Sequence, residues 1–380
     1  MIQENSPFIQ VICGPRQVGK TTAARQIMED AGIPSLYAAA DSAVPLGTEW
    51  LETQWHRAEY EVKTTGKPVL LVLDELQKIS GWSDALKFLW DQRRSDIRLL
   101  VLGSSAMLLQ RGLTESLAGR FFLHRFPHWS FPECREAFGW DMNRWLFFGG
   151  YPGAARFANN EAEWMQYVSD SLIETVISRD VLQLQNIAKP ALLRNLFGLA
   201  TTFPAQILSY NKMLGQLQDA GNTTTLAHYL TLLESAFLLS GLELYSKGQR
   251  RKRGSSPKLI LWNNALINAI GMRSMEQCIT DSAWRGRLVE NAVGAHLLQT
   301  LHSANASIMY WRKGNLEVDF VVELAGRTIA VEVKSGHSGA TNGLATFKKY
   351  YPDSRVLLVG ENGIPLEEFF SDISGDFFRL

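Results

Sequence analysis

The chain has no excess of either charge: 38 lysines and arginines stand against 38 aspartates and glutamates in 380 residues. A protein that coats nucleic acid over its whole surface carries a marked basic surplus, so any such partner here must meet a local patch. Cysteine is scarce: the three residues, Cys13, Cys134 and Cys278, are far apart and odd in number. That spacing argues against a disulfide framework or a cysteine zinc site and points to a reducing, cytoplasmic setting. No uninterrupted apolar window of about 18 residues occurs, so no membrane span is expected. The N-terminus lacks the charged segment and apolar core of a secretory leader, which predicts a soluble, intracellular protein. Internal repeats and low-complexity tracts are missing too. Apolar residues are plentiful, at 46%. They are enough for real cores, and the length suggests two or three domains at roughly 150 residues each.

The first 130 or so residues alternate between strand and helix patterns. "FIQVICG", "PSLYAAAD", "PVLLVLDEL", "IRLLVLGSSA" and "FFLHRFP" read as strands, and "KTTAARQIMEDAG" and "SDALKFLWDQRR" as helices. Continuous apolar runs such as "VLLVL" suit central parallel strands covered on both faces. The expected class is therefore α/β, with helices on both sides of a parallel sheet. From about Trp129 helical patterns dominate, after a Gly/Pro break at "FGGYPGAAR". "YNKMLGQLQDAGNTTTLAHYLTLLESAFLL" reads as helix, turn, helix, with Asn222 or Thr223 as a cap. A strand, a basic tip and a second strand follow, which is the order of a winged helix. The last hundred residues return to strands: "SIMYWRK", "LEVDFVVEL", "TIAVEVKSG" and "RVLLVG", with the amphipathic helix "AWRGRLVENAVGAHLLQTLH" before them. The expected domains are 1–128, 129–280 and 281–380.

Gly14-Pro15-Arg16-Gln17-Val18-Gly19-Lys20-Thr21 matches G-x-x-x-x-G-K-[ST] without a mismatch, a coincidence of about one in a hundred for a chain of this length. A strand enters the loop and a helix leaves it. Glycines let successive N–H groups turn toward an anion, and the helix N-terminus adds partial positive charge. Lys20 can reach outer phosphates, and the Thr21 hydroxyl, followed by Thr22, can ligate Mg²⁺. The run "VLLVLDEL" ends in Asp74-Glu75. Asp74 at the tip of a buried strand suits a cation, and Glu75 can polarise an attacking water. Ser104 or Ser105, closing another buried strand, can sense the γ-phosphate; simple turn chemistry is the competing reading. Arg120 in "ESLAGRFF" can serve as an arginine finger toward a neighbouring subunit, or form a surface salt bridge. Arg111 and Arg125 are weaker candidates.

"GPRQVGKTT", "LDELQKI", "GSSA", "SLAGR" and "GGYP" together resemble the bacterial and archaeal AAA-type P-loop ATPases (AAA_14-like), which carry a C-terminal domain catalogued as being of unknown function (DUF4143-like). The resemblance covers essentially the whole chain. It implies ATP held by Gly14 to Thr22, Mg²⁺ at Thr21 and Asp74, hydrolysis promoted by Glu75, and Arg120 acting in trans. It also implies a homo-oligomeric ring, such as a hexamer. Almost nothing precedes the first strand, which leaves the adenine contacts open.

Glu332-Val333-Lys334 alone is weak, because an E-x-K triplet arises about once by chance in a chain this long, and Glu61-Val62-Lys63 is a decoy. Strand period puts Glu332 and Lys334 on one face. The preceding strand carries Asp319, and the helix before it Glu290. Such a set can hold a divalent cation and orient a water for attack on phosphate. Helix-Glu, strand-Asp, strand-Glu-x-Lys is similar to the core of the PD-(D/E)xK nuclease superfamily. That resemblance implies a second metal at Glu290, Asp319, Glu332 and Lys334, or a nuclease-like fold used only for binding. Arg250-Arg251-Lys252-Arg253 is dense enough to contact a phosphate backbone. A solvated loop, or a winged helix serving protein contacts, is the alternative. The sequence thus predicts an ATPase coupled to DNA. The alternatives are a nucleotide-controlled switch or defence regulator acting on a protein, and an ATP-dependent metal nuclease.

Overall fold

The computed structural model describes residues 7–92, 96–103, 116–181, 187–217, 221–246, 255–301, 304–335 and 342–379. The chain divides into two compact units, with the boundary between Pro127 and His128.

The first unit is a parallel sheet with helices around it. Its strands are β1 (Ile9–Cys13), β2 (Ser35–Ala39), β3 (Val69–Asp74), β4 (Ile97–Gly103) and β5 (Phe121–Arg125), in the order β2-β3-β4-β1-β5. All four pairings are parallel. Every residue of β1 and β3 is buried, as the unbroken apolar runs require of central strands. Helix α1 (Lys20–Asp30) lays Ala24, Ile27 and Met28 on a core of Ile12, Leu70, Val72, Leu100 and Leu102. Helices α2 (Thr48–Thr65) and α3 (Trp82–Gln92) complete the layers. The pattern reading passes over α2 because the helix is polar on most sides. Its buried residues, Leu51, Gln54, Trp55 and Ala58, form a single stripe at i, i+3, i+4, i+7,.

The second unit opens with α4 (Phe131–Phe138), α5 (Met142–Phe148) and α6 (Glu161–Gln166), followed by two π-helical stretches, Tyr167–Ile173 and Val176–Val181. Then come α7 (Pro190–Thr202), α8 (Tyr210–Gln216) and α9 (Thr223–Ser235). Asn222 caps α9 by accepting from the Thr225 amide at 2.8 Å. Strands β6 (Leu239–Leu244) and β7 (Lys258–Leu261) pair antiparallel. They precede α10 (Asn264–Gly271), α11 (Met275–Thr280) and α12 (Ser282–Leu301). The chain closes with β8 (Ser307–Lys313), β9 (Leu316–Leu324), β10 (Arg327–Lys334), α13 (Asn342–Tyr350), β11 (Arg355–Gly360), α14 (Leu366–Ser371) and α15 (Asp376–Arg379).

These strands make one mixed sheet, β11-β10-β9-β8-β6-β7. The expected break near residue 280 therefore falls inside a continuous sheet. Strand β6 joins β8 in parallel through Glu243–Met309 and Leu244–Tyr310, so the β6–β7 hairpin extends the C-terminal sheet. Its connecting segment, which contains Arg250 to Arg253, lies outside the described residues. The "GGYP" break has a packing cause. A Cβ on Gly149 would meet Asn263 Oδ1 at 1.8 Å, and one on Gly150 would meet the Trp129 carbonyl oxygen at 2.0 Å. No described helix is long and apolar enough to cross a membrane.

Candidate nucleotide site and the C-terminal carboxylate cluster

The loop from Gly14 to Gly19 joins buried β1 to α1. Two of its residues have left-handed backbone, Gln17 at φ 57° and Gly19 at φ 93°. Such alternation aims consecutive amides at one concavity. Gly19 is the N-cap of α1, with no side-chain cap and no acidic residue in the first turn, so the amides at that end keep their capacity for an anion. A Cβ on Gly19 would meet nothing within 4 Å, whereas one on Gly14 would meet the Phe126 carbonyl oxygen at 1.9 Å. One glycine thus serves the loop's conformation and the other the approach of the chain after β5.

Lys20 is 9% exposed. Its ammonium donates to the carbonyls of Gly14 (3.0 Å) and Pro15 (2.5 Å). Burial pushes it down to about 8, against the opposing pull of Cys13, Asp74 and Glu75. A cation held this way gains most from an added anion. The Thr21 hydroxyl donates to Asp74 Oδ2 at 3.1 Å, and the Tyr37 hydroxyl donates to the same oxygen at 2.8 Å. Asp74 closes β3 and is 8% exposed. Hydroxyl and carboxylate oxygens side by side are hard ligands, the kind that Mg²⁺ selects. Thr21 and Asp74 therefore fit that ion.

Sequence reasoning missed Tyr37. It lies on β2, two residues before Ala39, which pairs with Asp74. Burial and its bond to Asp74 push its hydroxyl up to about 12, so it stays a donor. Period-2 spacing from the β2 end was the available signal.

Glu75 has left-handed backbone, φ 60°, a conformation that a non-glycine residue holds only at some strain. Its Oε2 accepts from Gln77 Nε2 at 2.9 Å and lies 3.5 Å from the Lys78 ammonium, which also binds Asp41 at 2.7 Å. Arg120 is half-buried and makes a two-point pair with Asp91 of α3, 2.7 and 2.9 Å. Arg125 ends β5 beside Cys13. Ser104, Ser105 and Arg111 lie outside the described residues.

In the second unit, two of the expected residues, Glu290 and Asp319, meet around a lysine that sequence reasoning read as part of the basic hairpin, while Glu332 and Lys334 pair with each other. Lys258, the first residue of β7, has no exposed surface. Its ammonium lies 2.5 Å from Glu290 of α12, 3.1 Å from Glu317 and 3.6 Å from Asp319 of β9, and it also donates to the Asp319 carbonyl at 3.2 Å. The same ammonium sits 5.0 Å from the centre of the Phe320 ring. Burial works against its charge, but Glu290, Asp319 and Glu317 outweigh burial and hold it above the ordinary lysine range. Asp319 Oδ2 accepts from the Val333 amide at 2.8 Å, and Lys334 donates to Glu332 Oε1 at 2.8 Å. Oε2 of Glu332 is buried with no hydrogen-bond partner. Burial, then Asp319, raises the affinity of that carboxyl for a proton.

Ligand oxygens of Glu290, Glu317 and Asp319 lie within 4.8 Å of one another, a metal-like grouping. The cation among them is Lys258. The second metal expected from the sequence does not fit this arrangement, because the ammonium takes the central position. Two signals were legible: "LEVDF" puts Glu317 and Asp319 on one face, and a lysine opening the apolar strand "KLIL" needs buried carboxylates.

Residues 6–135 match the family model described as an AAA domain, residues 139–277 one described as a domain of unknown function (DUF8612), and residues 285–371 another of that description (DUF4143). The last two meet near residue 280, within the second unit. Uncharacterized proteins of Mycobacterium tuberculosis and Mycobacterium bovis are each 27% identical over 334 residues, 86% of this chain and 70% of theirs. An uncharacterized protein of Methanocaldococcus jannaschii is 23% identical over 278 residues, 66% of this chain and 58% of its own length. Among solved structures, the Thermotoga maritima RuvB Holliday junction branch migration motor aligns at 15% identity with a TM-score of 0.31, over 66% of this chain and 84% of that one. With a P-loop joining β1 to α1 and Asp74 closing β3, the chain carries an AAA domain at its N-terminus and a DUF4143 domain at its C-terminus.

Proposed function

We propose that the protein binds and hydrolyses ATP with Mg²⁺ and couples that cycle to DNA, as part of a homo-oligomer. One observation carries the reading: Thr21, next to the loop lysine, and Asp74, at the end of a neighbouring buried strand, share a hydrogen bond. In this mechanism the backbone N–H groups of residues 14–20, Pro15 excepted, and the Lys20 ammonium grip the outer phosphates. Thr21 and Asp74 would hold Mg²⁺, which would supply charge neutralisation for the phosphates, while Tyr37 fixes the Asp74 carboxylate. Glu75 orients a water for attack on the γ-phosphorus, and ADP leaves as the bridging bond breaks. Arg120 of a neighbouring subunit completes the site once it leaves Asp91. Support for DNA comes from four consecutive cations, Arg250 to Arg253, between the paired strands β6 and β7.

A second reading, a nucleotide-controlled switch acting on a protein, draws on the partners that hold the catalytic groups. Glu75 is engaged by Gln77 and Lys78, and Arg120 by Asp91, an arrangement suited to slow turnover. The nuclease alternative has less support, because Lys258 stands where its metal would.

Steady-state phosphate release over a panel of single-stranded, branched and duplex DNA separates the two main readings. Coupling to DNA requires faster turnover with at least one structure, and Lys20→Ala should abolish activity. Turnover indifferent to every DNA, with a long-lived ATP complex, would select the switch. ATP binding unaffected by Lys20→Ala would overturn both.

A further inference from the structure

The second unit carries a charge cluster that the ATPase cycle does not use. Four carboxylates, Glu290, Glu317, Asp319 and Glu332, converge with two ammonium groups, Lys258 and Lys334. An acidic cluster of this density ordinarily recruits a divalent cation, because like charges a few ångströms apart repel strongly away from water. Here the neutralising charge is covalent. Lys258 enters from the base of β7 and reaches carboxylates on β9 and α12, and its stem is sealed from solvent. Phe320 lies beneath its ammonium, a favourable face for a cation. Glu332 presents a buried oxygen without a partner, so the set retains unspent acceptor capacity.

We infer that Lys258 is the resident cation of this site, so that the C-terminal domain keeps a metal-type carboxylate cluster closed to divalent ions. A metal at the centre of Glu290, Glu317 and Asp319 would need the 2.5–3.6 Å positions that the ammonium holds. Moving Lys258 aside would bury a charged head group without partners, which folded proteins avoid. The domain then works by binding and assembly rather than by cutting. This inference does not depend on the ATPase reading.

The test is Mn²⁺ titration of the full-length protein without nucleotide, following free Mn²⁺ by electron paramagnetic resonance. Wild type and Asp319→Asn should give the same isotherm. Lys258→Met, which keeps the stem and removes the charge, should gain one Mn²⁺ site that the wild type lacks. The double variant Lys258→Met/Asp319→Asn should lose it. Mn²⁺ should also raise the melting temperature of Lys258→Met more than that of wild type. A wild-type site removed by Asp319→Asn would overturn the inference, as would metal-dependent DNA cleavage lost in that variant. Should Lys258→Met not fold, the wild-type and Asp319→Asn pair still decides, equal isotherms supporting the inference and unequal ones refuting it.

Discussion

At the scale of single residues, the nucleotide site turns on how a buried ammonium is held. Lys20 is packed among carbonyls and sits near 8 instead of in the ordinary lysine range, because burial penalises its charge. Bound phosphate favours the charged form and raises that value, so binding above pH 8 takes up a proton. Nucleotide affinity should therefore be level below pH 8. Above it, affinity should fall by up to about tenfold per pH unit, until the value of the bound state is reached. A fluorescent-nucleotide titration from pH 6.5 to 9.5 reads this directly, and Lys20→Arg should remove the break. A level profile through pH 9.5 in the wild type would show that Lys20 is not the group that meets the phosphates. The motif was fully legible at this scale, since its eight residues are contiguous. Tyr37 and Lys78 were not, because what matters about them is which carboxylate they reach, 37 residues away for Tyr37 with Asp74 and also for Lys78 with Asp41.

At the scale of elements, the strand-to-helix turn is positioned from below. The end of β1 and the end of β5 converge on Gly14, whose missing Cβ makes room for the Phe126 carbonyl. The Phe126 amide donates back to the Cys13 carbonyl at 2.8 Å. Gly14→Ala should force these strand ends apart and destabilise the protein by about 1–3 kcal/mol, the usual penalty for overpacking. Gly19→Ala has open space around it and should lose about 1–2 kcal/mol through left-handed backbone strain. Chemical denaturation of both variants tests the difference in cause: nucleotide affinity should fall in each, while Gly14→Ala alone should also perturb the near-ultraviolet circular dichroism of the core. Equal spectra in the two variants would refute the crowding argument. The three inner strands of this unit, β1, β3 and β4, were readable in the sequence because buried parallel strands are continuous apolar runs,. The α2 helix was not, because one narrow stripe of contact is all it buries.

At the scale of the whole molecule, the second unit holds together across residue 280. Strand β7 supplies Lys258 to carboxylates 59 and 61 positions further on, and β6 pairs with β8. A fragment of residues 281–380 would lack β6, β7 and the lysine, leaving β8 as an open edge beside unneutralised carboxylates. It should fail to give a cooperative urea transition, whereas residues 128–380 should unfold in a single step. Tryptophan fluorescence and far-ultraviolet circular dichroism check both, and a cooperative transition in the short fragment would count against the shared sheet. Composition changes near residue 280, with helices before and strands after. Sequence reasoning placed a boundary there, where two family models also meet; a change of local pattern does not reveal that strands on its two sides pair.

The sequence by itself determined the phosphate-binding loop, the acidic end of β3 and the alternation that makes a parallel sheet. Each of these is written in neighbouring residues, where backbone conformation and side-chain period act over a few positions. Tertiary structure alone decided that Tyr37 steadies Asp74, that Lys78 engages Asp41, and that an ammonium fills the carboxylate cluster of the second unit. Ion pairs and strand pairings form between distant segments. Their partners are chosen by burial, which leaves a charged group no water and admits only the counter-charge that folding brings within reach.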